Sequence, residues 1–192
     1  SPHPRAKRCT VETLKICHEA AINAGAPEGL IGWISEPSME ATQQLMAHRD
    51  VNLILSTGGG GLVRAAYSSG KPAYGVGPGN VPVYIEKSCD VKKAVKMIVN
   101  SKTFDNGTIC ATEQAIVVDQ SIKAQVASEM ERNGAYFLNA EEKRKLERLI
   151  LPVGNGRVNP DIVGKPAVKI AEMARVQVPD GTRLLVAEEN QV

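Results

Sequence analysis

Four consecutive glycines, Gly58 to Gly61, separate an apolar run, Val51-Asn52-Leu53-Ile54-Leu55, from a segment with helical spacing over 62–69. Strand, glycine turn and helix in that order constrain the fold strongly, because the helix must cross back over the sheet before the next strand, expected over Ala73 to Val76, can pair in parallel. Upstream, apolar residues at helical spacing over about 10–24 stop at Gly25-Ala26-Pro27, which terminates a helix. A strand over Leu30 to Ile34 should follow. A second helix is expected behind Ser38, a suitable N-cap, with Met39, Thr42, Leu45 and Met46 facing inward. The chain reads as α/β.

Gly77-Pro78-Gly79-Asn80 interrupts the pattern and is read as a boundary between domains over 1–80 and 81–192. Beyond it, Val81 to Ile85 resumes extended structure, and Asp90 caps a helix whose Val91, Ala94, Val95 and Ile98 form one apolar stripe. That helix leads into Phe104-Asp105-Asn106-Gly107-Thr108-Ile109-Cys110, which is followed by Ala115-Ile116-Val117-Val118, read as a buried strand. Further helices are marked by Ile122, Val126 and Met130, by Leu146, Leu149 and Ile150, and by Ile170, Met173 and Ala174, with a surface loop over 153–160. A second βα unit is therefore built around Cys110.

With 192 residues, 43% of them hydrophobic and 23% charged, the chain can bury a sizeable core and is not disordered. The net charge of +2 is spread without a basic block and only 4% of residues are aromatic, so nucleic-acid binding is not expected. No apolar run approaches the roughly 20 residues that cross a bilayer, and residues 1–8 lack the apolar stretch of a secretion signal. The reading is cytoplasmic. The four cysteines, Cys9, Cys17, Cys89 and Cys110, form no CxxC pair and have no histidine at ligand spacing, so neither a metal site nor a disulfide framework is expected. Cys17, on a helical face with Leu14 and Ala21, is assigned to the core. His18 and His48 are assigned to packing or the surface.

Two features carry chemistry. Asn106-Gly107 favours a turn with positive φ, which would present Cys110 ahead of a strand as a nucleophile, its adduct stabilised by backbone N–H groups; an inert, buried cysteine is the alternative. The glycine turn could place N–H groups of a helix N-terminus against a pyrophosphate, or be purely conformational. The regular G-x-G-x-x-G spacing fails at Val63, and the P-loop pattern fails because Gly70-Lys71 and Gly164-Lys165 both precede proline.

Ser1-Pro2-His3-Pro4-Arg5-Ala6-Lys7, Ser56-Thr57-Gly58-Gly59-Gly60-Gly61, Gly75-Val76-Gly77-Pro78-Gly79-Asn80-Val81-Pro82 and 101–111 around Cys110 resemble, in order and through essentially the whole chain, the motifs of CoA-acylating aldehyde dehydrogenases, including the aldehyde dehydrogenase half of bifunctional aldehyde-alcohol dehydrogenases. The resemblance implies part of a Rossmann-like cofactor domain followed by part of an α/β catalytic domain. It makes Cys110 the nucleophile, sets Thr57, Gly58 and Gly59 along the pyrophosphate and ribose, Ser1 and Pro2 near the adenosine, and Val76 with Gly77 beside the nicotinamide. It further implies that the chain is the middle of a longer, homo-oligomeric enzyme acting on a small aldehyde or acyl-CoA, in the cytoplasm or a bacterial microcompartment. Hydrolytic relatives carry a glutamate where Val76 stands, and its absence argues for release of the acyl group by coenzyme A rather than water. Pro4, where those relatives carry a glutamate for the ribose, leaves NAD as the expected cofactor and NADP as the alternative. The competing expectation is a catalytically inert portion of such an enzyme that binds nucleotide or serves in assembly.

Overall fold

The computed structural model describes residues 6–152 and 158–189. They divide into two compact units, one ending at Pro78 and one beginning at Gly79.

The first unit contains α1 (Lys7–Asn23), α2 (Met39–Ala47), β1 (Ile54–Thr57), α3 (Gly60–Tyr67) and β2 (Ala73–Val76). β1 and β2 pair in parallel from Ile54↔Ala73 to Thr57↔Val76, with α3 as the crossover. The strand lies later than its apolar run suggested, because the residues that enter the ladder are those whose alternate side chains, Ile54 and Ser56, turn inward. Gly75 allows α3 to lie close on β2. A Cβ there would fall 2.5 Å from Val63 Cγ1, and the Gly75 N–H instead donates to the Tyr67 hydroxyl at 3.0 Å.

Three expectations for this unit are corrected. Leu30 to Ile34 forms bends and coil rather than a strand; no described strand offers it a ladder, and an unpaired strand has nothing to hold it. Cys17 is exposed and α1 buries none of its residues, because helical spacing marks the more apolar side while burial requires a second surface. Ser38 does cap α2, its hydroxyl accepting from the Ala41 N–H at 2.9 Å, but Met39 and Leu45 are exposed and only Thr42 and Met46 are half-buried.

The second unit runs β3 (Val81–Ile85), α4 (Val91–Thr103), β4 (Glu113–Val118), α5 (Lys123–Arg132), β5 (Ala135–Phe137), α6 (Ala140–Ile150), α7 (Ala167–Met173) and β6 (Leu184–Val186). β3 pairs with β4 and β5 with β6, both in parallel. The core joins Ile85, Val91, Val95, Ile98, Val99, Val126, Met130 and Ala135, so α4 and α5 pack on both strand pairs. A smaller cluster of Ala171, Ala174 and Val176 lies against Tyr136, Leu146 and Leu185.

Asp90 opens α4 by accepting from the Lys93 N–H at 3.1 Å. Asp90→Ala leaves that donor without its partner and is expected to cost about 1 kcal/mol, measurable by urea unfolding monitored by circular dichroism. The strand over Ala115 to Val118 is not buried as expected: Val117 is 42% exposed, since β3 is the only described strand paired with β4. The strands β5 and β6, three residues each, are additional to those expected, and α6 begins in a reciprocal capping box between Asn139 and Glu142 that Asn-Ala-Glu-Glu spells out. The expected loop over 153–160 falls largely outside the described residues. Among the described residues, no helix is long and apolar enough to cross a membrane, and no group of three or more His, Cys, Asp or Glu could hold a metal.

Candidate active site

α4 ends at Thr103, and the next residues reverse the chain through three consecutive positive φ values: 49° at Asp105, 51° at Asn106 and 72° at Gly107. Asp, Asn and Gly are the residues that enter this region at least cost. The turn is fastened locally and from afar. Thr108 Oγ1 donates to the Asp105 carboxylate at 2.6 Å, and Asn106 Nδ2 donates to the Gly164 carbonyl at 2.9 Å.

Cys110 then occupies the corner of a second turn, closed by the Thr112 N–H donating to the Ile109 carbonyl at 3.1 Å. Thr112 is buried and its hydroxyl donates to the same carbonyl at 2.9 Å, while Cys110 is exposed. An inert core cysteine does not describe this residue. Its backbone is pressed against Gly79, where a Cβ would lie 2.0 Å from the Cys110 carbonyl oxygen. At the base of the loop, Lys102 Nζ donates to Gln114 Oε1 at 2.8 Å, bridging the two residues that flank it. Burial lowers the Lys102 pKa, opposed by the neighbouring Glu113 carboxylate, whose Oε2 is buried without a hydrogen-bond partner.

In the first unit, the carboxyl ends of β1 and β2 bring Thr57 opposite Val76, and the Gly58 N–H donates to the Val76 carbonyl at 3.0 Å. Gly77 follows directly. This is the end of a parallel sheet at which α/β proteins bind ligands. Gly59 is the N-cap of α3 and supplies no side-chain acceptor; the Leu62 and Val63 N–H groups donate to its carbonyl, so the donor capacity left at the helix start is that of the Gly60 and Gly61 N–H groups.

The glycines themselves are informative. None of Gly58 to Gly61 has a positive φ, and a Cβ on Gly59, Gly60 or Gly61 would meet nothing within 4 Å. Only Gly58 would touch the chain, at the flexible Leu62 Cδ2. The purely conformational alternative is thereby corrected: this turn does not require glycine for its own backbone. The space in front of Gly59, Gly60 and Gly61 is open to close approach of a ligand to the backbone.

Ser1 and Pro2, together with Pro4 and Arg5, lie outside the described residues. His18 packs edge-on to Trp33 with ring centroids 6.2 Å apart, and exposed His48 is the C-cap of α2. Cys9 is exposed, and Cys89 is half-buried against the larger core.

The aldehyde dehydrogenase family profile matches residues 2–137. The chain belongs to the aldehyde dehydrogenase family. It is 52% identical over 188 residues to the bifunctional aldehyde-alcohol dehydrogenase AdhE of Escherichia coli K12, a match covering 98% of this chain and 21% of that protein. An acetylating aldehyde dehydrogenase from Geobacillus thermoglucosidasius superposes with a TM-score of 0.93 at 58% identity, covering 100% of this chain and 42% of that one. A propionaldehyde dehydrogenase from Rhodopseudomonas palustris, solved with bound CoA and an acylated cysteine, superposes at 0.88 with 31% identity over 97% of this chain and 43% of its own. The fold is that of the acylating aldehyde dehydrogenases. This chain spans about a fifth of the length of AdhE.

Sequence reasoning passed over Gly79, the Asn106–Gly164 tie and the Lys102–Gln114 bridge. Gly79 is visible within Gly77-Pro78-Gly79-Asn80, but that pattern reads only as a domain boundary. The two side-chain ties join residues through the fold, and no local pattern announces them.

Proposed function

We propose that this chain supplies the nucleophile and part of the cofactor-binding surface of a CoA-acylating aldehyde dehydrogenase. Residues 1–80 form part of the NAD(P)-binding domain and 81–192 part of the catalytic domain. The observation that carries the reading is the exposed Cys110 thiol on a loop held by Gly79, Asn106 and the Lys102–Gln114 bridge. A thiol fixed in this way adds to an aldehyde carbonyl to give a hemithioacetal, and loss of hydride leaves a thioester on Cys110.

The open glycine turn fits a dinucleotide: it leaves space where Cβ atoms would project and has helix N–H groups available for a pyrophosphate. Thr57, Gly58 and Gly59 line that phosphate, Val76 and Gly77 flank the nicotinamide, and Ser1 and Pro2 approach the adenosine. A bound nicotinamide would accept the hydride, NAD being the favoured form and NADP the alternative. Val76 has no proton-accepting group, so nothing at that position activates water. The Cys110 thioester is discharged by the thiol of coenzyme A, and the reverse sequence reduces an acyl-CoA to the aldehyde. The substrate class is a short aldehyde, and the working enzyme is a homo-oligomer of longer chains in the cytoplasm or a microcompartment.

The test grafts this chain into the Geobacillus enzyme in place of its matching segment and measures NAD reduction by acetaldehyde with and without coenzyme A. A rate indifferent to coenzyme A rejects the proposal. In the same chimera, Val76→Glu restores a carboxylate and is expected to shift product from acyl-CoA toward free acid by about tenfold or more. Chromatographic product ratios check this, and an unchanged ratio removes Val76 from the account of thiolysis.

A further inference from the structure

α4 delivers the chain to the Cys110 turn, so the place where the helix ends decides where that turn begins. Helix ends fray, because their last carbonyls lack intrahelical partners. The end of α4 is gripped from outside by Arg183, 80 residues beyond the last residue of the helix, Thr103. One guanidinium nitrogen, Nη2, donates to the Thr103 hydroxyl at 2.7 Å and to the Asn100 side-chain carbonyl at 3.2 Å. The Thr103 hydroxyl donates in turn to the Val99 carbonyl at 2.8 Å, and the Val99 side chain is fully buried in the larger core. Both roles of that hydroxyl are thus in use. A guanidinium is also the charge that the carboxyl end of a helix favours.

Arg183 is itself held in place, although it is exposed. It directly precedes β6, and its backbone N–H donates to the Gly134 carbonyl at 2.7 Å. Its stem lies over the same residue: a Cβ on Gly134, which has a φ of 90°, would fall 2.9 Å from Arg183 Cγ and 3.0 Å from Cδ. Glycine at 134 therefore serves twice, taking the left-handed conformation and leaving room for the arginine stem. Backbone and stem fix the direction from which Nη2 reaches α4.

The gripped end connects to Cys110 by two routes. Thr103 leads directly into Phe104 and the three positive-φ residues of the turn. Lys102, its neighbour on the same helical turn, lies beneath the loop: a Cβ on Gly107 would be 3.1 Å from the Lys102 carbonyl oxygen and 3.5 Å from Nζ, and Nζ also bonds Gln114 on the far limb. Any rotation of the last turn of α4 moves Thr103 and Lys102 together. It therefore moves both limbs of the loop that carries the thiol.

We propose that Arg183 is a positioning residue for Cys110: by bonding Asn100 and Thr103 it fixes the end of α4, and through Thr103 and Lys102 it fixes the loop that presents the thiol. The inference rests on Cys110 being the nucleophile. An exposed arginine contributes little to overall stability, so its removal should act on the presentation of the thiol and leave the fold intact.

The experiment uses the chimera with the Geobacillus enzyme. Arg183→Met keeps an apolar stem over Gly134 and removes the donor; it is expected to lower kcat for coenzyme A-dependent acetaldehyde oxidation about fivefold, with the acetaldehyde KM within about twofold. Iodoacetamide labelling of Cys110, resolved by mass spectrometry, should change at least about threefold, while labelling of Cys17, on α1 of the other unit, stays as it was. Arg183→Lys, which offers several donors from one nitrogen, should recover about half of kcat or more. Thr103→Val removes the shared acceptor, so adding Arg183→Met to it should cost less than the product of the two single losses. Asp90→Ala weakens the same helix from its opposite end and is the control for stability, with kcat and Cys110 labelling expected within about twofold of the unsubstituted protein. Unchanged kcat and labelling in Arg183→Met, no recovery in Arg183→Lys, fully multiplicative losses in the double variant, or an equal loss in Asp90→Ala overturns the proposal. Activity that survives Cys110→Ala overturns the proposed function and this inference with it, whereas activity lost in Cys110→Ala but undiminished in Arg183→Met removes Arg183 alone.

Discussion

Cys110→Ala in the chimera is expected to lower coenzyme A-dependent NAD reduction by a factor on the order of 10³ or more, because removal of a covalent nucleophile removes the pathway rather than adjusting it. The geometry makes the outcome specific. Cys9, Cys17 and Cys110 are all exposed, so exposure alone does not select among them. Cys9 and Cys17 lie on α1, whereas the Cys110 corner is fixed by Gly79 packed against its carbonyl and by buried Thr112 bonded to Ile109. Cys9→Ala and Cys17→Ala should leave the rate within about twofold, as expected of surface substitutions away from a site. Mass spectrometry after incubation with an acyl-CoA supplies the second readout: acyl label on Cys110 and none on the other three thiols. Retention of more than a tenth of the activity in Cys110→Ala, or acylation distributed among the cysteines, would rule Cys110 out as nucleophile.

The parts of the fold that were legible in the sequence are those that local rules decide. Ala73–Val76 and Val81–Ile85 stand as the alternation of apolar and turn residues placed them. Ser38 and Asp90 cap their helices because a short side-chain acceptor ahead of an apolar stripe has one favoured use. Asn106-Gly107 takes the left-handed conformation that its chemistry invites, extended by one residue to Asp105.

The failures share a different cause. Leu30 to Ile34, Cys17 and Val117 are apolar residues whose burial depends on a partner surface, and among the described residues that surface is not there. Apolar patterning reports what a segment would cover, and only tertiary structure reports whether something covers it. The same logic sharpens the glycine turn. Its spacing left nucleotide binding and conformational necessity equally open, and the second fell only when the φ values and the empty space at Gly59 to Gly61 were in hand.

Gly79→Ala is expected to have the next largest effect, for a reason that spacing could not provide. A Cβ at 79 would lie 2.0 Å from the Cys110 carbonyl oxygen and 3.1 Å from its carbonyl carbon. These are backbone atoms, which no rotamer change can move aside. Either β3's approach or the Cys110 corner must shift by about an ångström, a displacement that can cost roughly 10²-fold when it separates a nucleophile from its target. The corner also resists relaxation, since Thr112 and the Asn106–Gly164 bond hold it from other directions, so part of the cost should appear as lost stability of about 1–3 kcal/mol. Gly77→Ala is the control. A Cβ there meets nothing within 4 Å, and in this chain alone the rate of Cys110 alkylation by iodoacetamide should be unchanged by it but altered at least about fivefold by Gly79→Ala. In the chimera the two variants should separate again: Gly77→Ala acts on the cofactor KM and Gly79→Ala on kcat. If Gly79→Ala left both alkylation and kcat at the unsubstituted level, the close packing of residue 79 on Cys110 would have no part in presenting the thiol.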